Sequence, residues 1–331
     1  MTRIALISSA DSRYYPMLRE WIASVRRFPQ SAAMDICILD VGLNAGQIEA
    51  LRPLVSHIVP ARWPVALSSR RIKGREYYKA CINRPFLRDY FPNYDLYVWM
   101  DADTWVQNWE AVDLFIRGAQ RGALAVAPQT DRGYPRTVRV KWLGRWPWKV
   151  RSFYFTNARL AFGFSTAKAL LNRHVLQAGV FALRGDAPHW ERWQTLILKA
   201  LEKGQVFTAE QLTMGMMVHM DGYAAEILPA WCHWLCEFKP LWDEKRAVFV
   251  EPFLPHKDIG ILHLAGCDAM RVDRSVTTDF ETLAERAQDR KKVNLSYRFP
   301  FYNGETDRTL FVAPGPRELQ RKPVVSRCAG S

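Results

Sequence analysis

Two aspartates, Asp101 and Asp103, follow a strongly apolar run in the segment YVWMDADTW. Side chains two apart on an extended chain point the same way, so one strand end would present both carboxylates together. Paired carboxylates make a hard-oxygen site for Mn²⁺ or Mg²⁺. Such an ion takes further oxygens from its ligand, and a diphosphate supplies them. The ion then stabilises the charge that grows on a departing diphosphate. The plainer alternative is that the aspartates cap a helix following the strand.

The elements that would position this pair read as alternating strands and helices. Residues 3–9 (RIALISS), 34–41 (MDICILDV), 56–60 (SHIVP) and 95–100 (DLYVWM) are short apolar runs, as buried strands require. Residues 16–28 place Leu18, Ile22 and Val25 at helical spacing, with Pro16 near the start. Residues 44–54 open on Asn44, a candidate N-cap. A helix over 77–91 is interrupted at Arg84–Pro85. This order predicts an α/β, Rossmann-like, mostly parallel central sheet flanked by helices. Ligands bind such sheets beyond the carboxyl ends of the strands. That rule singles out Ser8–Asp11, Asp40–Gly42 and Asp101–Asp103. Further along, 109–121, 187–203 and 208–219 read as helices, and 177–183 and 259–264 as strands.

Composition bounds the reading. The chain has 331 residues, 49% hydrophobic, with 13 Trp and a formal net charge of +13. A core of that size disfavours disorder away from the ends. The basic charge suits anionic ligands. No dense Lys/Arg run accompanies a nucleic-acid motif, so no nucleic-acid partner is expected. Six cysteines stand at 37, 81, 232, 236, 267 and 328, without a CxxC or zinc spacing. The N-terminus reads as a first strand and not as a signal peptide. No apolar run reaches the ~18 residues of a membrane span. The expected location is the cytoplasm, with peripheral contact at an inner membrane as an addition.

YDLYVWMDADTWV resembles the DxD segment of GT-A nucleotide-sugar glycosyltransferases, and most resembles glycosyltransferase family 8, the glycogenin and bacterial galactosyltransferase type. Three further segments resemble that family: LQAGVFAL (176–183), FTAEQLTMG (207–215) and LHLAG (262–266). The resemblance implies a GT-A domain over 1–275, with an acceptor-side insertion at about 129–165. It implies Mn²⁺ (or Mg²⁺) held by Asp101, Asp103 and His263. Donor contacts would come from Ser9, Ala10, Asp11, Tyr14, Arg84, Ala102, Gly179, Gly266 and Arg271. Gln177, Glu210 and Gln211 would surround the sugar. The chain departs from the family in three places: Gln177 replaces Asn, Glu210 replaces Asp, and Ala269 stands where a Lys is usual. The implied reaction moves a sugar from a nucleotide-sugar, with UDP expected, to a saccharide, lipid or protein hydroxyl. Configuration is retained if the family pattern holds, and inverted if Glu210 acts as a base.

Each supporting residue has a bland role as well. His263 can be a structural histidine at a strand end, Gly179 a packing residue, Asp11 a cap, and Tyr14 a surface aromatic. Two other functions remain in view. A nucleotide-sugar-forming nucleotidyltransferase also uses paired Asp, but SSADSRYYP lacks the Gly-rich loop it needs. A decayed sugar- or lipid-binding module would keep the fold without the chemistry. The stretch 136–155, rich in Arg, Lys and Trp, fits neither a clean helix nor a clean strand. It suits an acceptor loop, a membrane-interface segment or an insertion that completes the core. An extension from 276 to 331 follows, with a Pro- and Arg-rich end expected to be poorly ordered.

Overall fold

The computed structural model describes residues 2–134, 138–272, 278–283 and 291–293. Most of the expected C-terminal extension, Cys328 included, lies outside them. The first half builds β1 (Ile4–Ala10), α1 (Tyr15–Arg26), β2 (Asp35–Asp40), α2 (Ala45–Leu51) and β3 (His57–Pro60). The short helices α3 (Ser69–Ile72), α4 (Tyr78–Ile82) and α5 (Leu87–Tyr90) lead to β4 (Leu96–Met100), β5 (Thr104–Val106), α6 (Trp109–Gln120) and β6 (Leu124–Pro128). Then come β7 (Val138–Leu143), β8 (Trp146–Ser152), α7 (Phe153–Ala161), α8 (Phe164–Leu170), β9 (Leu176–Arg184), α9 (His189–Lys203) and α10 (Ala209–His219). The remaining elements are β10 (Ala225–Ile227), β11 (Trp234–Leu235), β12 (Leu241–Asp243), β13 (Val248–Val250), β14 (Ile261–His263), α11 (Asp268–Val272), β15 (Thr278–Thr282) and β16 (Lys291–Val293).

The central sheet has seven strands in the order β10-β6-β9-β4-β1-β2-β3. All run parallel except β9, which is antiparallel to β4 and β6. The mostly parallel α/β architecture expected from the sequence is therefore present. Side chains alternate between two cores. Leu96, Val98 and Met100 of β4 join α1 and α6 on one face, and Tyr97 and Trp99 join α7, α9 and α10 on the other. Burial on both faces explains why β4 carries no polar break.

Local chemistry sets the element ends. Asn44 caps α2: its side chain accepts from the Gln47 N–H at 2.9 Å, and Gln47 Oε1 accepts from the Asn44 N–H at 3.1 Å. Such reciprocal caps contribute about 1 kcal/mol. Pro85, which has no N–H to give, interrupts the 77–91 segment, leaving a 3₁₀ turn (Arg84–Phe86) between α4 and α5. The basic Trp-rich stretch, whose pattern fits neither a clean helix nor a clean strand, does form a regular element. It folds as an antiparallel hairpin, β7–β8, with Gly144 at φ +58° in the turn, and runs into α7. A register shift beside Trp142 breaks the two-residue alternation, which hides the strands from a periodicity reading.

Candidate active site

The site forms where β4 ends. Past Met100 the backbone turns, and the Asp101 carbonyl accepts from the Thr104 N–H (3.0 Å) and the Thr104 hydroxyl (2.7 Å). The two carboxylates thus converge through a turn, not through the extended spacing assumed from sequence. β14 pairs antiparallel with β5 and sets His263 opposite Thr104. The Leu264 N–H donates to the Asp103 carbonyl at 3.1 Å. This pairing carries a residue from far along the chain to the aspartates.

One oxygen of Asp101, one of Asp103 and one ring nitrogen of His263 lie within 4.8 Å of one another. His263 Nε2 is 3.4 Å from Asp103 Oδ1 and 3.9 Å from Asp101 Oδ2. The other oxygen of each carboxylate is already engaged. Asp101 Oδ1 accepts from Arg84 Nη2 (2.6 Å) and Trp99 Nε1 (2.8 Å), and Asp103 Oδ2 accepts from Arg271 Nη1 (2.7 Å). On the far side of the imidazole, His263 Nδ1 meets His233 Nε2 at 2.8 Å, with the rings stacked. Burial holds His233 well below the usual imidazole range. The two rings can share one proton in either direction, and the tautomer in which His263 Nδ1–H donates to His233 leaves the His263 Nε2 lone pair facing the carboxylates. Two carboxylate oxygens and one oriented imidazole, each fixed from behind, fit a divalent cation.

Arg84 organises the deeper wall. Its side chain is only 6% exposed. Besides Asp101 it donates to the Ala178 carbonyl (2.9 Å) and to Glu210 Oε1 (3.2 Å), and it lies over the Trp99 ring. Burial works against its charge, but Asp101 leads the neighbours that more than offset this, and its pKa is raised. Burial also pushes the Asp101 carboxyl up against the opposing pull of Arg84 and His263.

The reversed direction of β9 brings its start, not its end, to this place. The Asp101 N–H donates to the Gly179 carbonyl at 2.8 Å. A Cβ on Gly179 would sit 2.6 Å from His263 Cε1 and 3.0 Å from Asp101 Oδ2. Only glycine lets the strand lie against both side chains. If the cluster holds Mn²⁺, Gly179→Ala is expected to leave the fold in place but weaken that binding by on the order of tenfold or more, since it displaces the two oriented side chains. Titration calorimetry with Mn²⁺ measures this, and wild-type affinity in the variant would contradict the geometry.

Gln177 and Glu210 are buried beside this wall. Gln177 Nε2 donates to the Pro128 carbonyl at 2.9 Å, while its Oε1 and Glu210 Oε2 have no hydrogen-bond partner among the described residues. Burial pushes the Glu210 carboxyl up to about 7, against the pull of Arg84. A raised carboxyl pKa means that the folded chain holds this proton more tightly than the unfolded one. The stabilisation is complete below the ordinary value near 4.5 and is lost as pH rises through about 7. A shift of that size corresponds to about 3 kcal/mol. In metal-free buffer the wild type is therefore expected to lose stability across this window relative to Glu210→Gln. Urea melts of both proteins at several pH values would show it, and parallel pH curves would refute it.

The remaining predicted residues distribute around the aspartates. Gln211 is half-buried in the first turn of α10. Ala102, Ser9 and Ala10 are buried. Asp11 Oδ1 accepts from the N–H groups of Arg13 (3.0 Å) and Tyr14 (2.9 Å), so it shapes the loop after β1. Tyr14 lies in the field of Arg271 and Asp103, and burial pushes its phenol up to about 12. Arg271 pairs with both Asp103 and Asp268. Gly266 adopts φ +75°, where a Cβ would meet Glu237 at 2.6 Å. Two contributors are absent from the sequence reading. Trp99 could have been found, because it stands two residues before Asp101 on the strand that leads to it. His233 could not, because only the pairing of β11 with β14 brings it to His263.

The sequence matches no protein-family model and no curated protein. Among solved structures the chain is similar to the bifunctional glycosyltransferase WbbM in its apo form, at 15% identity and a TM-score of 0.48, covering 80% of this chain and 46% of that one. It thus spans about half the length of WbbM. An active-site variant of LgtC matches at 12% identity and a TM-score of 0.46, covering 79% of this chain and 87% of that one. GlyE of Streptococcus pneumoniae TIGR4 matches at 14% identity and a TM-score of 0.45, covering 80% and 54%.

Proposed function

We propose that this chain is a divalent-metal-dependent glycosyltransferase of the GT-A type, moving a sugar from a nucleotide-sugar to a hydroxyl acceptor. One observation carries the reading. Asp101 and Asp103 each give one oxygen to an arginine and turn the other toward His263. That arrangement suits a cation gripped from one side and open to ligand oxygens on the other. The four segments that resemble family 8 support it and suggest UDP as the nucleotide and Mn²⁺, or Mg²⁺, as the ion. When bound, the ion supplies charge neutralisation for a departing diphosphate.

The chain's own residues do the rest. Arg84 and Arg271 hold the aspartates in place. Gln177 Oε1 and Glu210 Oε2 are buried and have no partner among the described residues, and sugar hydroxyls would satisfy them. Glu210 is bonded to Arg84 through Oε1 alone, so retention of configuration rests on the resemblance to family 8. NMR of the product's anomeric centre distinguishes retention from inversion. Thermal melting with Mn²⁺ and UDP together, against either alone and against GDP and ADP, tests the donor site. A joint rise in midpoint is expected. No rise with Mn²⁺ and any of the three nucleotides sinks the reading.

A further inference from the structure

The hairpin β7–β8 exposes tryptophans, a residue type that the other described segments keep buried or half-buried. Trp142, Leu143, Trp146 and Trp148 are 63%, 65%, 79% and 73% exposed, whereas Trp21, Trp99, Trp190, Trp193 and Trp234 are fully buried. Four large apolar side chains within seven residues of a single tip form a patch of the kind that marks an interaction surface. The charge around them has one sign. From residue 132 to residue 185 the sequence contains no Asp or Glu, and seven Lys or Arg fall between 132 and 151. Lys141 stands directly across from Lys149, and both are exposed, as is Arg145 in the turn. Like charges placed opposite one another destabilise a strand pair unless an anionic surface offsets them.

Trp combines an apolar ring with one N–H donor, which suits the boundary between lipid headgroups and acyl chains. Lysines and arginines beside it suit the phosphates of anionic lipids. We propose that the hairpin tip docks the chain onto an anionic phospholipid bilayer. Trp142, Leu143 and Trp146 enter the headgroup boundary, and Lys141, Arg145 and Lys149 meet the phosphates. No helix of the described residues is long and apolar enough to cross a membrane, and the contact proposed here is a peripheral one. The hairpin is rooted at the start of β9. Tyr154, just past β8, accepts from the Leu176 N–H at 2.9 Å, and Pro128, at the end of β6, accepts from Gln177.

The test is sedimentation of the full chain with vesicles. It is expected to bind equimolar phosphatidylcholine and phosphatidylglycerol, to ignore pure phosphatidylcholine, and to bind less as salt rises. The pair Trp142→Ser and Trp146→Ser should weaken binding by on the order of tenfold. The pair Lys141→Glu and Lys149→Glu should do so to a similar degree, about tenfold. Both should keep the wild-type melting temperature, because the replaced side chains are exposed. Equal vesicle binding by the wild type and both variants overturns the proposal. So does preference for a single-stranded oligonucleotide over vesicles, or a wild-type dimer that the Trp variant splits.

Discussion

Asp103→Ala is expected to abolish the joint Mn²⁺ and UDP shift in melting temperature and to lower kcat/KM by about 10²–10³-fold, as loss of a principal charge-stabilising contact does. Asp103 is 4% exposed, and its two oxygens serve two partners. Oδ1 faces His263 at 3.4 Å, and Oδ2 accepts from Arg271 at 2.7 Å. Removing the carboxylate takes away a proposed metal ligand and the group that orients Arg271. Arg271 keeps Asp268, so its charge is not stranded and the fold should persist. Asp103→Asn separates the two roles, because it keeps the volume and an oxygen for Arg271 while removing the charge. Both variants should lose the shift. Full retention of it in Asp103→Ala would place the donor site elsewhere.

Arg84→Met is expected to produce the largest loss of stability. Arg84 is the buried cation between Asp101 and Glu210, and the Glu210 side chain is only 5% exposed. Met fills similar volume but leaves both carboxyl groups without their counter-charge. Breaking a buried pair from one side typically costs about 3–5 kcal/mol. Urea unfolding at neutral pH in chelator should show it as a lower midpoint with an unchanged slope. Adding Glu210→Gln to Arg84→Met should recover part of the loss, because one uncompensated carboxylate is then gone. A double-mutant cycle reads this coupling directly. Additive effects of the two changes would mean that the 3.2 Å contact carries no energy.

The linear chain already displays the strands that feed the site, the DxD pair at the end of the most apolar of them, and the Pro85 break that delivers Arg84. Each of these rests on local physics: period, capping and ring closure act over a few residues. Asn44 is the clearest case, since its cap needs only Gln47. The resemblance also pointed to His263 and Gly179, but their roles depend on distance. The antiparallel course of β9 places Gly179 rather than Arg184 beside the aspartates. The β5–β14 register decides that His263 faces Asp103, and the β11–β14 pairing supplies His233. The hairpin shows the converse. Its Trp residues look like core material by type, and only their position beyond the packed layers leaves them in water. Hydrophobic type and spacing act locally and can be read along a string. Ligand geometry arises from strand order and register between distant segments, which burial of the whole sheet selects.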